Sequence, residues 1–432
     1  MSNRTIQVGE LARVEGEGAV SIRLVAGKVA ELRFRVTEPP RLFEAFLRGR
    51  AFTEVPDITS RVCGICPIAY QLSSCRALES IMGIELDGEL RRLRRLIYLG
   101  EWIESHGLHV FLLHAPDFLG YPDAIAMAKD HRDLVARGLR IKKIGNEILR
   151  AMGGREIHPI NVRIGGFYRA PQRSELTLLL PELRWGAQAV REVLGWAALL
   201  PFPELERDYE LVALRHPSEY PLFEGRIASS QGIDIEVREY EQYLGEHQVP
   251  YSHALQSSVR SHGGAYLCGP MARFNLSFDL LADEAKEAAR AIGLIPPVKN
   301  PFKSLLVRCV EILHAFTEAA AIVEQYRHPA QSSVPFTVQP GTGHGCTEAP
   351  RGSLYHRYTI DEQGVVREAT IVPPTAQNQR AIEDDLRALA PQLAALPHAE
   401  ATVLAERVVR NHDPCISCSA HSLEVVSTPA TR

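Results

Sequence analysis

Eight cysteines are spread through the 432-residue chain, and four of them fall into two C-x-x-C pairs, Cys63/Cys66 and Cys415/Cys418. A spacing of three lets both sulfurs of a pair face one point from a single turn. Thiolates are soft donors that favour zinc, nickel, copper(I) or iron over magnesium, and a bound metal or a nearby cation promotes their deprotonation. The pairs stand 352 positions apart, whereas a zinc knuckle usually closes a loop of about 12–20 residues. Neither pair sits in the βαβ setting of a thioredoxin-like redox site. Spacing alone leaves a structural metal, a catalytic metal and no metal all open. Cys75, Cys268, Cys309 and Cys346 are scattered singly and read as small buried hydrophobes.

The pairs lie near opposite ends of the chain, so a shared site requires a fold that brings those ends together. With 48 Lys+Arg against 52 Asp+Glu, 45% hydrophobic residues and no low-complexity tract, the composition is that of an ordinary globular protein. The balanced charge gives no basic field for nucleic acid or anionic lipid. No apolar run reaches the ~18 residues of a membrane span, and the polar start from Met1 to Arg13 shows no targeting segment. A cytoplasmic protein with reduced thiols is expected, without nucleic-acid partner or membrane insertion. Alternation over 20–24 and 29–36 predicts a hairpin. Apolar residues at three- and four-residue intervals predict helix over 88–152, interrupted near Pro116 and Pro122. Further helices are predicted over 175–199, 283–292, 304–327 and 379–396, and a second hairpin over 355–372. The Pro- and Gly-rich stretches 201–270 and 328–353 read as loops. The sum is an α+β, mainly helical fold: a central bundle of long helices with small β elements near both ends, in one domain of residues 1–421.

The flanks of the cysteines say more. The first pair reads Arg61-Val62-Cys63-Gly64-Ile65-Cys66-Pro67 and the second Asp413-Pro414-Cys415-Ile416-Ser417-Cys418-Ser419-Ala420-His421. Four other blocks accompany them: Arg13-Val14-Glu15-Gly16, His158-Pro159 ahead of Gly165-Gly166, Gly269-Pro270-Met271-Ala272-Arg273, and Glu348-Ala349-Pro350-Arg351-Gly352. Six blocks in this order resemble the large (alpha) subunit of [NiFe] hydrogenases over nearly the whole chain. The C-G-I-C-P-x-A-Y-Q form is similar to the cytosolic, bidirectional NAD(P)-linked branch, also called sulfhydrogenases.

The resemblance implies the catalytic subunit of an enzyme that reversibly cleaves H2 to protons and electrons. Cys63 and Cys415 would be terminal ligands of nickel. Cys66 and Cys418 would bridge it to an iron carrying one carbon monoxide and two cyanides. Arg351, Thr375 and Pro350 would surround those diatomic ligands, since buried cyanide nitrogens need donors. Arg351 would also stand over the open coordination position, where a planar permanent cation can polarise H2. Asp413 and Asp117 would hold that guanidinium, with Pro414 keeping Asp413 extended. Glu15 matches the proton-relay glutamate. Glu44 and His421 match the ligands of a magnesium (or calcium) ion. Residues 422–432 would be an extension removed by a maturation endopeptidase. Where many members carry histidine this chain has Tyr70, so a hydrogen bond to a bridging sulfur is expected to be lost.

No cysteine spacing of an iron–sulfur protein remains in the chain, and no G-x-G-x-x-G fingerprint. The electron path would lie on partners: a small subunit with iron–sulfur clusters, then flavin and iron–sulfur subunits that react with NAD or NADP. Two rival readings are a noncatalytic hydrogenase-derived scaffold and a zinc-stapled structural protein. Retention of all four cysteines and of Arg351 weighs against the scaffold.

Overall fold

A computed structural model describes residues 4–26 and 28–420, and in it the two segments that carry Glu15 and Cys415 touch. Glu15 and Cys415 form an isolated parallel β-bridge. Two packing systems bring them there.

The first is the predicted set of long helices: Gly88–Leu108, Arg132–Gly153, Leu180–Ala197 and Ser304–Gln325. Gly88–Leu108 lies against both Arg132–Gly153 and Ser304–Gln325. Its Leu93, Leu96, Ile97 and Ile103 are fully buried, each contributing about 1.5–3 kcal/mol of apolar burial. The predicted interruption near Pro116 is a change of helical pitch. A wide-turned stretch, His109–His114, runs into Ala115–Leu119, which ends where Gly120 turns left-handed. The helix Pro67–Ile81 escaped prediction because it is buried on nearly every side, so no amphipathic stripe marks it.

The second system is the N-terminal sheet. The predicted hairpin, Gly18–Val25 with Lys28–Val36, gains a third antiparallel strand, Arg4–Val8. Its inner residues Ile6, Val20, Ile22 and Phe34 share a core with Ile382 and Leu386 of the helix Pro374–Ala388, and with Val408 of His398–Asn411. The start of the chain thereby seats the helix that delivers Cys415.

Two loop expectations are corrected. Residues 341–349 form a strand beside Gly352–Ile360, which pairs in turn with Val366–Val372. Its glycines serve close approach: a Cβ on Gly343 would fall 2.0 Å from the Ala77 carbonyl oxygen of Pro67–Ile81. The stretch 201–270 holds the short strands Val212–Arg215, Arg226–Ser229, Asp234–Ile235, Leu244–Gln248 and Leu255–Val259. β structure therefore also occurs mid-chain, not only toward the ends.

Between the helices lies a buried charged cluster. Arg273 pairs with Glu311 (2.8 Å) and Glu348 (3.1 Å) and stands 4.3 Å from the Trp102 ring, while His106 Nε2 meets Glu311 Oε2 at 2.9 Å. Burial lowers His106 to about 4 although Glu311 opposes the shift. Unfolding returns it to about 6.5, so the unfolded chain binds the extra proton between these values. Stability is then lost as pH falls from about 6.5 to 4, with His106 supplying on the order of 3 kcal/mol of the change. Urea unfolding at pH 7.5 and 4.5 measures this, and His106→Gln is expected to flatten the slope by that amount.

Candidate metal centre

Cys63 is extended after the 3₁₀ turn Ser60–Val62, and Cys66 caps the helix Pro67–Ile81, which has proline in its first position. The amides of Ile65 and Cys66 point at Cys63 Sγ (3.3 and 3.4 Å). At the other end, Cys415 precedes the short helix Ile416–Ser419 that contains Cys418. The Cys415 amide donates to Thr375 Oγ1 and the Ile416 amide to the Glu15 carbonyl, both at 2.9 Å. Arg41 ties the two cysteine loops together, donating to the carbonyls of Val62 (2.7 Å) and Ser417.

The four sulfurs converge. Cys63 and Cys415 lie 3.3 Å apart, Cys66 and Cys418 3.6 Å, Cys415 and Cys418 2.8 Å, and all four fall within 4.8 Å of one another. All are buried and none is in a disulfide. Hydrogen bonds from Cys415, Cys418 and Cys66 hold the Cys63 thiol well below its usual range, while burial pushes Cys415 and Cys418 up. A soft cation bound by such a quartet would displace the thiol protons.

Glu15 meets this cluster directly. Its Oε2 lies 3.1 Å from Cys415 Sγ and accepts from the Ser417 amide at 3.1 Å, and its Oε1 takes the Ser417 hydroxyl. The approach depends on Gly16, whose φ is 82° and whose added Cβ would fall 2.8 Å from the Ser417 nitrogen. A second carboxyl, Glu38, is raised by burial and by the charge of Glu15 beside it. Sequence reading passed over Glu38 because no motif contains it.

Arg351 Nε donates to the Asp413 carbonyl (2.8 Å), Nη2 to Asp413 Oδ1 (3.2 Å) and Nη1 to Ser105 Oγ (3.3 Å). Burial alone would lower its pKa, but Asp413 and the Cys415 sulfur raise it well above the usual value. Asp413 is not extended, as its following proline predicted. Its φ is 48°, a left-handed conformation that aspartate tolerates better than most residues and that turns its carbonyl and carboxylate toward one guanidinium. Such strain is typical of functional positions.

Asp117 does not hold Arg351. Its oxygens accept from Arg410 (2.7 and 2.8 Å) and Arg13 (2.6 Å). Burial would raise its pKa, but the Arg410 hydrogen bond and charge bring it below the ordinary value. With two arginines occupying its lone pairs, Asp117 ties the Arg13–Gly16 block to the helix before Cys415. Of the arginines that organise the site, Arg13, Arg273 and Arg351 stood in recognised blocks, whereas Arg41 and Arg410 carried no sequence signal. The Pro350 carbonyl accepts from Arg273 (3.0 Å), anchoring the turn that carries Arg351. Glu44, on the helix Phe43–Leu47, is half-buried and accepts from the Ile371 amide (2.7 Å). His421 and residues 422–432 lie outside the described residues. The four single cysteines are buried as read, and burial pushes Cys75 and Cys309 up to about 12.

The model of the family described as nickel-dependent hydrogenase matches residues 41–152 and 302–421, the segments that hold all four convergent cysteines. The chain belongs to the nickel-dependent hydrogenases. It is 34% identical to sulfhydrogenase 2 subunit alpha of Pyrococcus furiosus over 97% of this chain and 100% of that protein. It is 31% identical to sulfhydrogenase 1 subunit alpha of the same organism over 96% of this chain and 97% of that one. A solved structure of an NAD+-reducing [NiFe]-hydrogenase in the H2-reduced state superposes with a TM-score of 0.89 at 27% identity, covering 97% of this chain and 99% of that chain. The fold is that of a hydrogenase large subunit, and the protein is an oxidoreductase acting on H2. Relatives that are alpha subunits make it one subunit of a multisubunit hydrogenase. Among the described residues, no helix is long and apolar enough to cross a membrane.

Proposed function

We propose that this hydrogenase subunit holds nickel on Cys63, Cys66, Cys415 and Cys418, with Cys66 and Cys418 shared by an iron that carries one carbon monoxide and two cyanides. The observation that carries the reading is the convergence of four buried sulfurs from both chain ends beside Arg351 and Glu15. The residues fit the diatomic ligands as well. Thr375 Oγ1 accepts from the Cys415 amide, which leaves its own hydroxyl proton for a buried acceptor, and Arg351 adds a permanent cation.

When bound, the centre supplies heterolytic cleavage of H2. The chain supplies the surroundings. The guanidinium of Arg351, fixed at two points by Asp413, orients and polarises the incoming molecule. Cys415 takes up the proton and passes it to Glu15, 3.1 Å away. Glu38 is the next carboxyl outward. Glu44 and His421 serve a magnesium or calcium ion, and residues 422–432 are removed by an endopeptidase during maturation, leaving 1–421 as a single domain.

Electrons pass to a small subunit with iron–sulfur clusters and from there to flavin and iron–sulfur subunits that exchange them with NAD or NADP. The single buried cysteines of this chain support that division of labour. Eight cysteines with no disulfide among them suit the reducing cytoplasm. Elemental analysis and infrared spectroscopy of the anaerobically purified complex test the reading. One nickel per large subunit is expected, with iron in excess of it because the partners' clusters also contain iron, together with carbon monoxide and cyanide bands. Zinc in place of nickel, or iron with neither nickel nor those bands, would overturn it in favour of a structural or scaffold role.

A further inference from the structure

Tyr70 departs from the family pattern, and the structure gives its hydroxyl a destination. The residue lies one helical turn after Cys66, with its amide bonded to the Cys66 carbonyl (3.4 Å), which puts its side chain on the cysteine side of Pro67–Ile81. It is 1% exposed. Its hydroxyl is buried and has no hydrogen-bond partner among the described residues, a condition native proteins rarely leave unanswered. The groups that act on it electrostatically are the sulfurs of Cys418, Cys66 and Cys415. Behind it the ring packs on His356, centroids 5.7 Å apart, and the Tyr358 hydroxyl lies 2.7 Å from His356 Nδ1.

We propose that Tyr70 is a positioning residue whose phenol donates a hydrogen bond to the bridging sulfur of Cys418 and so draws electron density from the metal centre. The proposal rests on the metal-centre reading above. A phenol, with a reference pKa of about 10, is a donor at neutral pH, and a thiolate is its natural acceptor in this pocket. The chain has therefore exchanged one donor for another at this position instead of losing it. Outer partners of this kind tune the electron density of a metal through its ligands.

The carbon monoxide and cyanide stretches read that density directly. Four forms of the purified complex are compared by infrared spectroscopy and nickel analysis: native, Tyr70→Phe, Tyr70→His, and 3-fluorotyrosine at position 70. In Tyr70→Phe the carbon monoxide band is expected at lower wavenumber with nickel retained, because the sulfur donates more strongly. Fluorotyrosine, a more acidic phenol of nearly the same shape, is expected to move the band higher. Tyr70→His is expected to return it toward the native position. Should Tyr70→Phe lose its metal, the fluorotyrosine form still decides. Unshifted bands in fluorotyrosine protein, or in metal-replete Tyr70→Phe, overturn the proposal and leave the metal-centre reading standing. A native complex with no such bands overturns both.

Discussion

Serine at position 415 strips this hydrogenase of nickel. In Cys415→Ser the metal content is expected to fall to background and H2 oxidation to become undetectable. The hydroxyl nearly matches the thiol in size, and the local backbone is held by its own bonds, Cys415 amide to Thr375 and Ile416 amide to the Glu15 carbonyl. Folding therefore survives while the chemistry does not. A serine hydroxyl stays protonated at neutral pH and is a hard donor, poorly matched to a soft, redox-active ion. Cys415 is also the sulfur closest to Cys418 and the one in contact with Glu15, so on the proposed reading its loss removes a ligand and a proton acceptor together. Metal analysis of the purified variant checks this. Native nickel content in Cys415→Ser would remove the residue from the ligand set.

Glu15→Gln separates proton movement from metal binding. Glutamine keeps the shape, and its amide oxygen can still accept from the Ser417 amide, now 3.1 Å from Glu15 Oε2. It cannot take up a proton. Exchange between D2 and solvent protons is expected to slow by about 10²–10⁴-fold, the range for losing a positioned acid–base group. Nickel content and infrared bands are expected to stay native. Isotope exchange followed by mass spectrometry reads the first and metal analysis the second. Native exchange rates in the variant would take Glu15 out of the relay.

The long amphipathic helices were legible because one face of each is buried and the other wet. Pro67–Ile81, buried all round, has no such contrast, and the strand 341–349 was hidden by glycines that serve contact with a helix instead of a bend. At the site, the four cysteines, Glu15 and Arg351 stand together as their motifs led one to expect, because residue type and sequence neighbours single them out. Asp117 misled for the opposite reason. A carboxylate's partner is chosen in space, and Arg13 and Arg410, from opposite ends of the chain, reach it. Asp413 shows the same limit on a smaller scale. Its proline neighbour predicts an extended backbone, but three hydrogen-bonding points on Arg351, two of them met by Asp413 itself, favour the left-handed turn.

The β-bridge between Glu15 and Cys415 has a bearing on the order of biosynthesis. On the proposed ligand set, a nascent chain that has not yet reached Cys415 offers only two of the four sulfurs, so the centre can be completed only after Cys418 has been translated. A stop codon upstream of Cys415 would yield a product without Cys415 and Cys418.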